Sequence, residues 1–121
     1  MGLVEEGTTV VSDAHARLLV LLARMGLEVL EEVEMPPYRP DVYVPDYHAV
    51  IELDGPQHSA RADLKRDEVL LRQYRVPTLR IKPDELDDYE RLRATVVTFL
   101  DLWADDAGAR YARAAMRLPW L

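Results

Sequence analysis

The stretch from His48 to Ile81 most constrains what this chain can fold into. An apolar segment, HAVIEL at 48–53, precedes an amphipathic stretch from Ala60 to Tyr74, and VPTLRI follows at 76–81. The first and last read as strands and the middle as a helix with Leu64, Val69, Leu70 and Leu71 on its apolar side. A strand, helix, strand crossover sets its two strands parallel in one sheet. Upstream, Asp41 to Val44 alternates as a strand and Pro45-Asp46 turns the chain, so 41–44 and 48–53 form a hairpin through Pro45–Tyr47. A hairpin joined to a parallel crossover requires a mixed sheet.

The flanks complete the order. Ser12 suits an N-cap, apolar Leu18, Leu19, Leu22 and Met25 recur at helical spacing over Asp13–Met25, and Gly26 suits the stop. Leu27 to Val33 is a short strand candidate, after which Pro36, Pro37 and Pro40 break regular structure. Beyond Ile81, Pro83-Asp84 opens a helical region with Val96, Val97, Phe99, Leu100 and Trp103, and Ala107-Gly108 interrupts it. A last short helix carries Tyr111 and Met116, with Trp120 near the end. The tail 110–121 is amphipathic and slightly basic, able to cover the core, pair with a second copy or touch nucleic acid. The expected order is α-β-β-β-α-β-α, one α/β domain over 1–121 with its core at about 12–82 and a helical extension at 84–121. Leu18, Leu19, Leu22, Val96, Val97 and Leu100 are expected core stripes, and Trp103 and Trp120 are read as packing or interface residues in preference to base-stacking platforms.

The 121 residues suffice for one core. With 49% hydrophobic and 31% charged residues, the composition is that of an ordinary globular protein. No cysteine is present, which excludes thiolate metal sites. The start of the sequence lacks signal-peptide character, and the run from Leu18 to Ala23 is too short to span a bilayer, so a cytoplasmic protein is expected. The net charge of −7 opposes simple nucleic-acid binding, yet it is uneven. Between Gly55 and Lys82, Arg61, Lys65, Arg66, Arg72, Arg75, Arg80 and Lys82 outnumber Asp63, Asp67 and Glu68. A local basic surface is therefore permitted.

The chemistry concentrates in AVIELDG. Alternation sends Glu52 and Asp54 to one face with Leu53 opposite, about 7 Å apart. Two like charges so placed favour a cation between them, and hard ions such as Mg2+ or Mn2+ take such carboxylate oxygens. Asp41, on the adjoining strand, can supply a third donor. An isolated Glu-x-Asp pair is ordinarily a solvated edge of a sheet, and a lone loop His is ordinarily just exposed. Here Gly55 permits a tight turn that brings His58 to the carboxylates, where an imidazole can serve as general base or acid.

Asp41, Ile51-Glu52-Leu53-Asp54-Gly55-Pro56-Gln57-His58, Asp63-Leu64-Lys65-Arg66-Asp67-Glu68-Val69-Leu70 and Leu79-Arg80-Ile81 resemble the very-short-patch-repair-like endonucleases. These are a branch of the PD-(D/E)xK, restriction-endonuclease-like superfamily. The resemblance covers about Ser12 to Ile81 and implies a restriction-endonuclease-like core with a mixed sheet flanked by helices. It further implies catalytic Asp41, Glu52, Asp54, His58 and Asp67, with Asp41 and Glu52 as ligands of Mg2+ or Mn2+. Asp54 stands where many members carry a lysine, and His58 takes over that lysine's work. Asp67 orients His58 or the metal, while Lys65, Arg66 and Arg80 contact nucleic acid. For Arg66-Asp67, an exposed ion pair on the helix is the competing reading. The sequence departs from the branch at His15, in the slot of a helix glutamate, and at Tyr74-Arg75, where a glycine usually precedes the last strand.

The implied function is metal-dependent hydrolysis of DNA phosphodiester bonds, with a homodimer or a partner protein supplying target choice. Two rivals stand beside it: an inactive module of the same fold that binds nucleic acid or a protein, and a small phosphatase-like hydrolase.

Overall fold

The computed structural model describes residues 2–55 and 59–104. Its elements are α1 (Gly2–Arg24), β1 (Leu30–Glu31), β2 (Val42–Val44), β3 (Ala49–Leu53), α2 (Ala60–Tyr74), β4 (Thr78–Ile81), a 3-10 helix (Pro83–Asp87) and α3 (Tyr89–Trp103). The four strands form one sheet in the order β1-β2-β3-β4. β2 pairs antiparallel with β1 and with β3, whereas β4 lies parallel to β3 with Ile51 opposite Leu79 and Glu52 opposite Arg80. The expected hairpin, crossover and mixed sheet are all present.

Each face of the sheet is covered. Val42, Val44, Ala49, Ile51 and Ile81 pack with Leu18 and Leu22 of α1, with Leu86, and with Leu92, Val96 and Leu100 of α3. Tyr43 and Val50 point the other way, onto Leu70 of α2 and onto Val33, Met35 and Val76. β2 and the first four residues of β3 are therefore buried throughout instead of alternating with solvent. Among the described residues, no helix is long and apolar enough to cross a membrane.

α2 occupies the expected Ala60–Tyr74. Ser59 caps it by accepting from the Ala62 N–H at 3.2 Å, a cap the pattern reading passed over. Arg75 ends the helix in the left-handed conformation (φ 59°, ψ 34°), which glycine adopts most readily. A left-handed backbone costs a non-glycine residue about 1–2 kcal/mol, partly offset by the greater freedom glycine has when unfolded. Arg75→Gly is accordingly expected to raise stability by about 0.5–1 kcal/mol. A lower urea midpoint in the variant would count against this account of the turn.

Several boundaries differ from the pattern reading. α1 does not begin at a Ser12 cap but runs from Gly2, with Ser12 inside it. Serine and the β-branched residues before it lower helix propensity by only fractions of a kcal/mol each, too little to enforce a stop. Its C-terminus follows expectation: Gly26 takes φ 85°, and the Gly26 and Leu27 N–H groups bond back to Ala23 and Leu22. Only Leu30–Glu31 of the 27–33 segment is strand. On α2, Leu64 is 69% exposed and Leu71 38%, so Leu70 alone of the four expected apolar positions is fully buried. A short sheet meets the helix along a narrow line, leaving the sides of the stripe outside it. Val97 is likewise exposed, one residue around the helix from buried Val96. The expected last helix with Tyr111, Met116 and Trp120 lies outside the described residues.

Candidate active site

The carboxylates come together where the hairpin meets the open end of the crossover. Asp41 immediately precedes β2, and the pairing of Val42 with Ile51 brings it beside Glu52 on β3. The two residues interlock: the Asp41 N–H donates to Glu52 Oε2 at 3.1 Å, and the Leu53 N–H donates to Asp41 Oδ2 at 2.9 Å. Each side chain thus continues the backbone ladder past the strand end and fixes both carboxylates. Glu52 is only 2% exposed. Burial first, then the charge of and hydrogen bond with Asp41, push its pKa from 4.5 up to about 7 against the lowering influence of Arg66 and the Asp41 N–H.

Glu52 and Asp54 share the α2 face, as alternation requires, but they meet different cations. Arg66 Nη2 of α2 lies 2.6 Å from Glu52 Oε1. Arg80 of β4 takes the other acids. Its Nε and Nη2 bind Asp67 of α2 at 3.0 and 2.6 Å, while Nη1 lies 3.5 Å from Asp63 and 4.0 Å from Asp54. Burial opposes the Arg80 charge, but the hydrogen bonds and charge of Asp67, then the charges of Asp63 and Glu52, outweigh it and raise the pKa above its ordinary value. The Asp54 N–H also donates to the Ile81 carbonyl at 2.8 Å, which ties this residue to β4.

The site residues expected from sequence are therefore divided by the fold. Asp41, Glu52 and Arg66 form one group, and Asp54, Asp67 and Arg80 form a second beside it. Lys65 is exposed on α2. His58 lies outside the described residues. Arg66 and Arg80, both expected to meet phosphate, instead meet carboxylates, because α2 packs its charged side over the sheet face that carries Glu52 and Arg80. His15 of α1 sits 2.7 Å from Glu31 of β1 and bonds to it.

Two contributors escaped the sequence reading. Asp63 stands one helical turn from Asp67, and like charges at that spacing repel, a signal that a cation faces both. Tyr38, whose ring centroid lies 5.1 Å from the Arg66 guanidinium, carried no such signal because its partner is remote in sequence.

Removing the Arg80 charge is expected to destabilise the fold by about 2–3 kcal/mol, since Asp67, Asp63 and Asp54 would then face one another across a partly buried space. Arg80→Met in urea denaturation measures this, and adding Asp67→Asn should recover part of the loss. An Arg80→Met variant as stable as wild type would show that the cluster contributes nothing.

Among the described residues, no group of three or more His, Asp or Glu side chains is arranged to hold a metal ion. Mg2+, however, commonly takes only one or two protein carboxylates and fills its remaining positions with water and substrate oxygens. Asp41 and Glu52 meet that requirement. Glu52 Oε1, buried and in ion-pair contact with Arg66 without an aligned hydrogen bond, is the oxygen such an ion would engage.

No protein-family model matches the chain, and no curated protein matches it. Among solved structures it is similar to the catalytic domain of the homing endonuclease I-Bth0305I, with a TM-score of 0.57 and 18% identity over 71% of this chain and 91% of that one. The likeness is one of fold: a mixed sheet flanked by helices, in the arrangement of an endonuclease core.

Proposed function

We propose that the chain is a metal-dependent endonuclease domain of the very-short-patch-repair-like kind, hydrolysing phosphodiester bonds of DNA. The observation that carries this reading is the interlocked Asp41–Glu52 pair, a buried carboxylate held beside a second one on an endonuclease fold. Electrostatic repulsion within such a pair is relieved by a divalent cation. Asp41 and Glu52 would hold Mg2+ or Mn2+, which when bound polarises a phosphate and lowers the pKa of a water.

The chain's own residues supply the rest. The Asp41 and Leu53 N–H groups hold the carboxylates in place before substrate arrives, so no ordering cost falls on the reaction. His58, four residues beyond Asp54 in the sequence, would take or deliver the proton at the attacking or leaving oxygen. Asp54 and Asp67, both held by Arg80, would assist that proton transfer, Asp67 by orienting His58 or the metal. Exposed Lys65 and Arg61 on the first turns of α2 would meet the DNA backbone electrostatically, which makes binding weaken with salt.

One observation favours a second reading, a non-catalytic module of the same fold that binds nucleic acid or a protein. Arg66 and Arg80, two of the three expected phosphate contacts, are neutralised by carboxylates within the chain. Calorimetry with Mn2+ and plasmid nicking in Mn2+ or chelator separate the two. The endonuclease shows a millimolar-or-tighter site that Glu52→Gln removes, and nicking that chelator stops. The module shows neither. A preference for phosphomonoesters over DNA would instead mark a phosphatase-like hydrolase. A homodimer or partner protein for target choice belongs to the same proposal, and sedimentation with and without DNA tests it.

A further inference from the structure

The two arginine–carboxylate contacts on this face differ in quality. Arg80 and Asp67 meet through two hydrogen bonds, Nε to Oδ2 at 3.0 Å and Nη2 to Oδ1 at 2.6 Å. That two-point arrangement is the strong, directional form of the pair. Arg66 and Glu52 meet at one point. Their 2.6 Å approach brings opposite charges together, yet Glu52 Oε1 has no hydrogen bond and neither does the buried Arg66 Nε. The Arg66 Nη2 donates instead to the Arg39 carbonyl at 3.3 Å. A buried ion pair offsets its desolvation only when geometry and hydrogen bonds are good; here the close contact to Glu52 Oε1 is not aligned as a hydrogen bond and the Arg66 Nε has no acceptor.

The surroundings hold Arg66 loosely. Its guanidinium stands 5.1 Å from the Tyr38 ring centroid, and its side chain is 25% exposed, against 3% for Glu52. The Arg66 side chain reaches solvent, whereas that of Glu52 is almost wholly enclosed. Once Glu52 is ionised a cation beside it and Asp41 is favoured, and the one now there is partly open to solvent.

We propose that Arg66 is an exchangeable counter-cation of the metal site, whose guanidinium neutralises Glu52 in the metal-free protein and is displaced when a divalent ion binds. The proposal rests on the metal-dependent reading of the Asp41–Glu52 pair. It makes the pair a loading device: Arg66 balances the charge of buried Glu52 beside Asp41 while no metal is bound, and competes with the metal for Glu52.

The experiment is a Mg2+ titration at pH 8, followed by nitrogen–proton spectra of the backbone amides and of the Arg66 Nε–H, beside Mn2+ calorimetry of wild type, Arg66→Ala and Arg66→Lys. The amides of Asp41 and Leu53 report loading directly, because they bond to the two carboxylates. The expected result is that both amides and the Arg66 Nε–H shift with the same midpoint. Arg66→Ala should bind Mn2+ about tenfold more tightly or better, with Arg66→Lys nearer to wild type. Amides that shift while the Arg66 signal stays put, or equal or weaker Mn2+ binding by Arg66→Ala, would overturn the exchange and leave the metal site standing. Amides that do not respond to Mg2+ would overturn both.

Discussion

Asp41→Asn is expected to lower divalent-dependent nicking of supercoiled plasmid by about a thousandfold, with the protein still folded. The substitution removes the charge that a metal needs but keeps an oxygen able to accept from the Leu53 N–H, so the lock on β3 survives. A metal that polarises the phosphate and activates water supplies several kcal/mol of transition-state stabilisation, and each 1.4 kcal/mol is about tenfold in rate. His58→Ala should lose about 10²–10⁴-fold, the usual contribution of a positioned proton carrier. Measuring both variants beside wild type in Mn2+ and in chelator makes the outcome specific. Loss in both locates the chemistry, whereas a rate unchanged in Asp41→Asn would remove Asp41 from the metal site and the nuclease mechanism with it.

The second large effect is on stability against pH. In chelator, the protein should lose stability as pH rises from about 4.5 to about 7, the window between the ordinary and the folded pKa of Glu52. Within it the folded chain keeps a proton on Glu52 that the unfolded chain has released, so raising pH favours unfolding. The stabilisation is fully present below the lower value and gone above the upper one. The separation corresponds to about 3 kcal/mol, since one pKa unit is worth about 1.4 kcal/mol. Glu52→Gln has no proton to lose, so its unfolding free energy from urea denaturation should change between pH 5 and pH 8 by about 2–3 kcal/mol less than that of wild type. Mn2+ at pH 8 should restore wild type and leave Glu52→Gln unmoved. A difference between the two proteins that is the same at both pH values would show that Glu52 does not titrate there.

Much of the fold was legible in the residues themselves. The segment 48–81 contains a strand, a helix of helical period and a second strand, and chain connectivity then leaves little choice but a parallel pair. The Pro45-Asp46 turn sets the hairpin, and the hairpin sets Asp41 beside Glu52. Both relations are local, spanning a dozen residues or fewer, and turn chemistry and side-chain alternation act over that range. Helix ends were less legible. The start of α1 and the brevity of β1 depend on propensities worth fractions of a kcal/mol, which packing overrides.

The partners of the charged residues were decided only by the tertiary structure. Arg66 and Arg80 looked in sequence like cations for phosphate, and nothing within a few residues of Arg80 marks it as the anchor of Asp67, Asp63 and Asp54. That assignment required α2 to lie across one face of the sheet, with β4 parallel to β3 so that Arg80 stands opposite Glu52. The burial of Glu52 follows from the same packing, and with it the pKa near 7 that sets the pH behaviour of the site. Periodicity therefore determined which residues share a face of a strand or helix. Which faces meet depends on docking, and the charge partners and desolvation that make acids and cations functional arise only there.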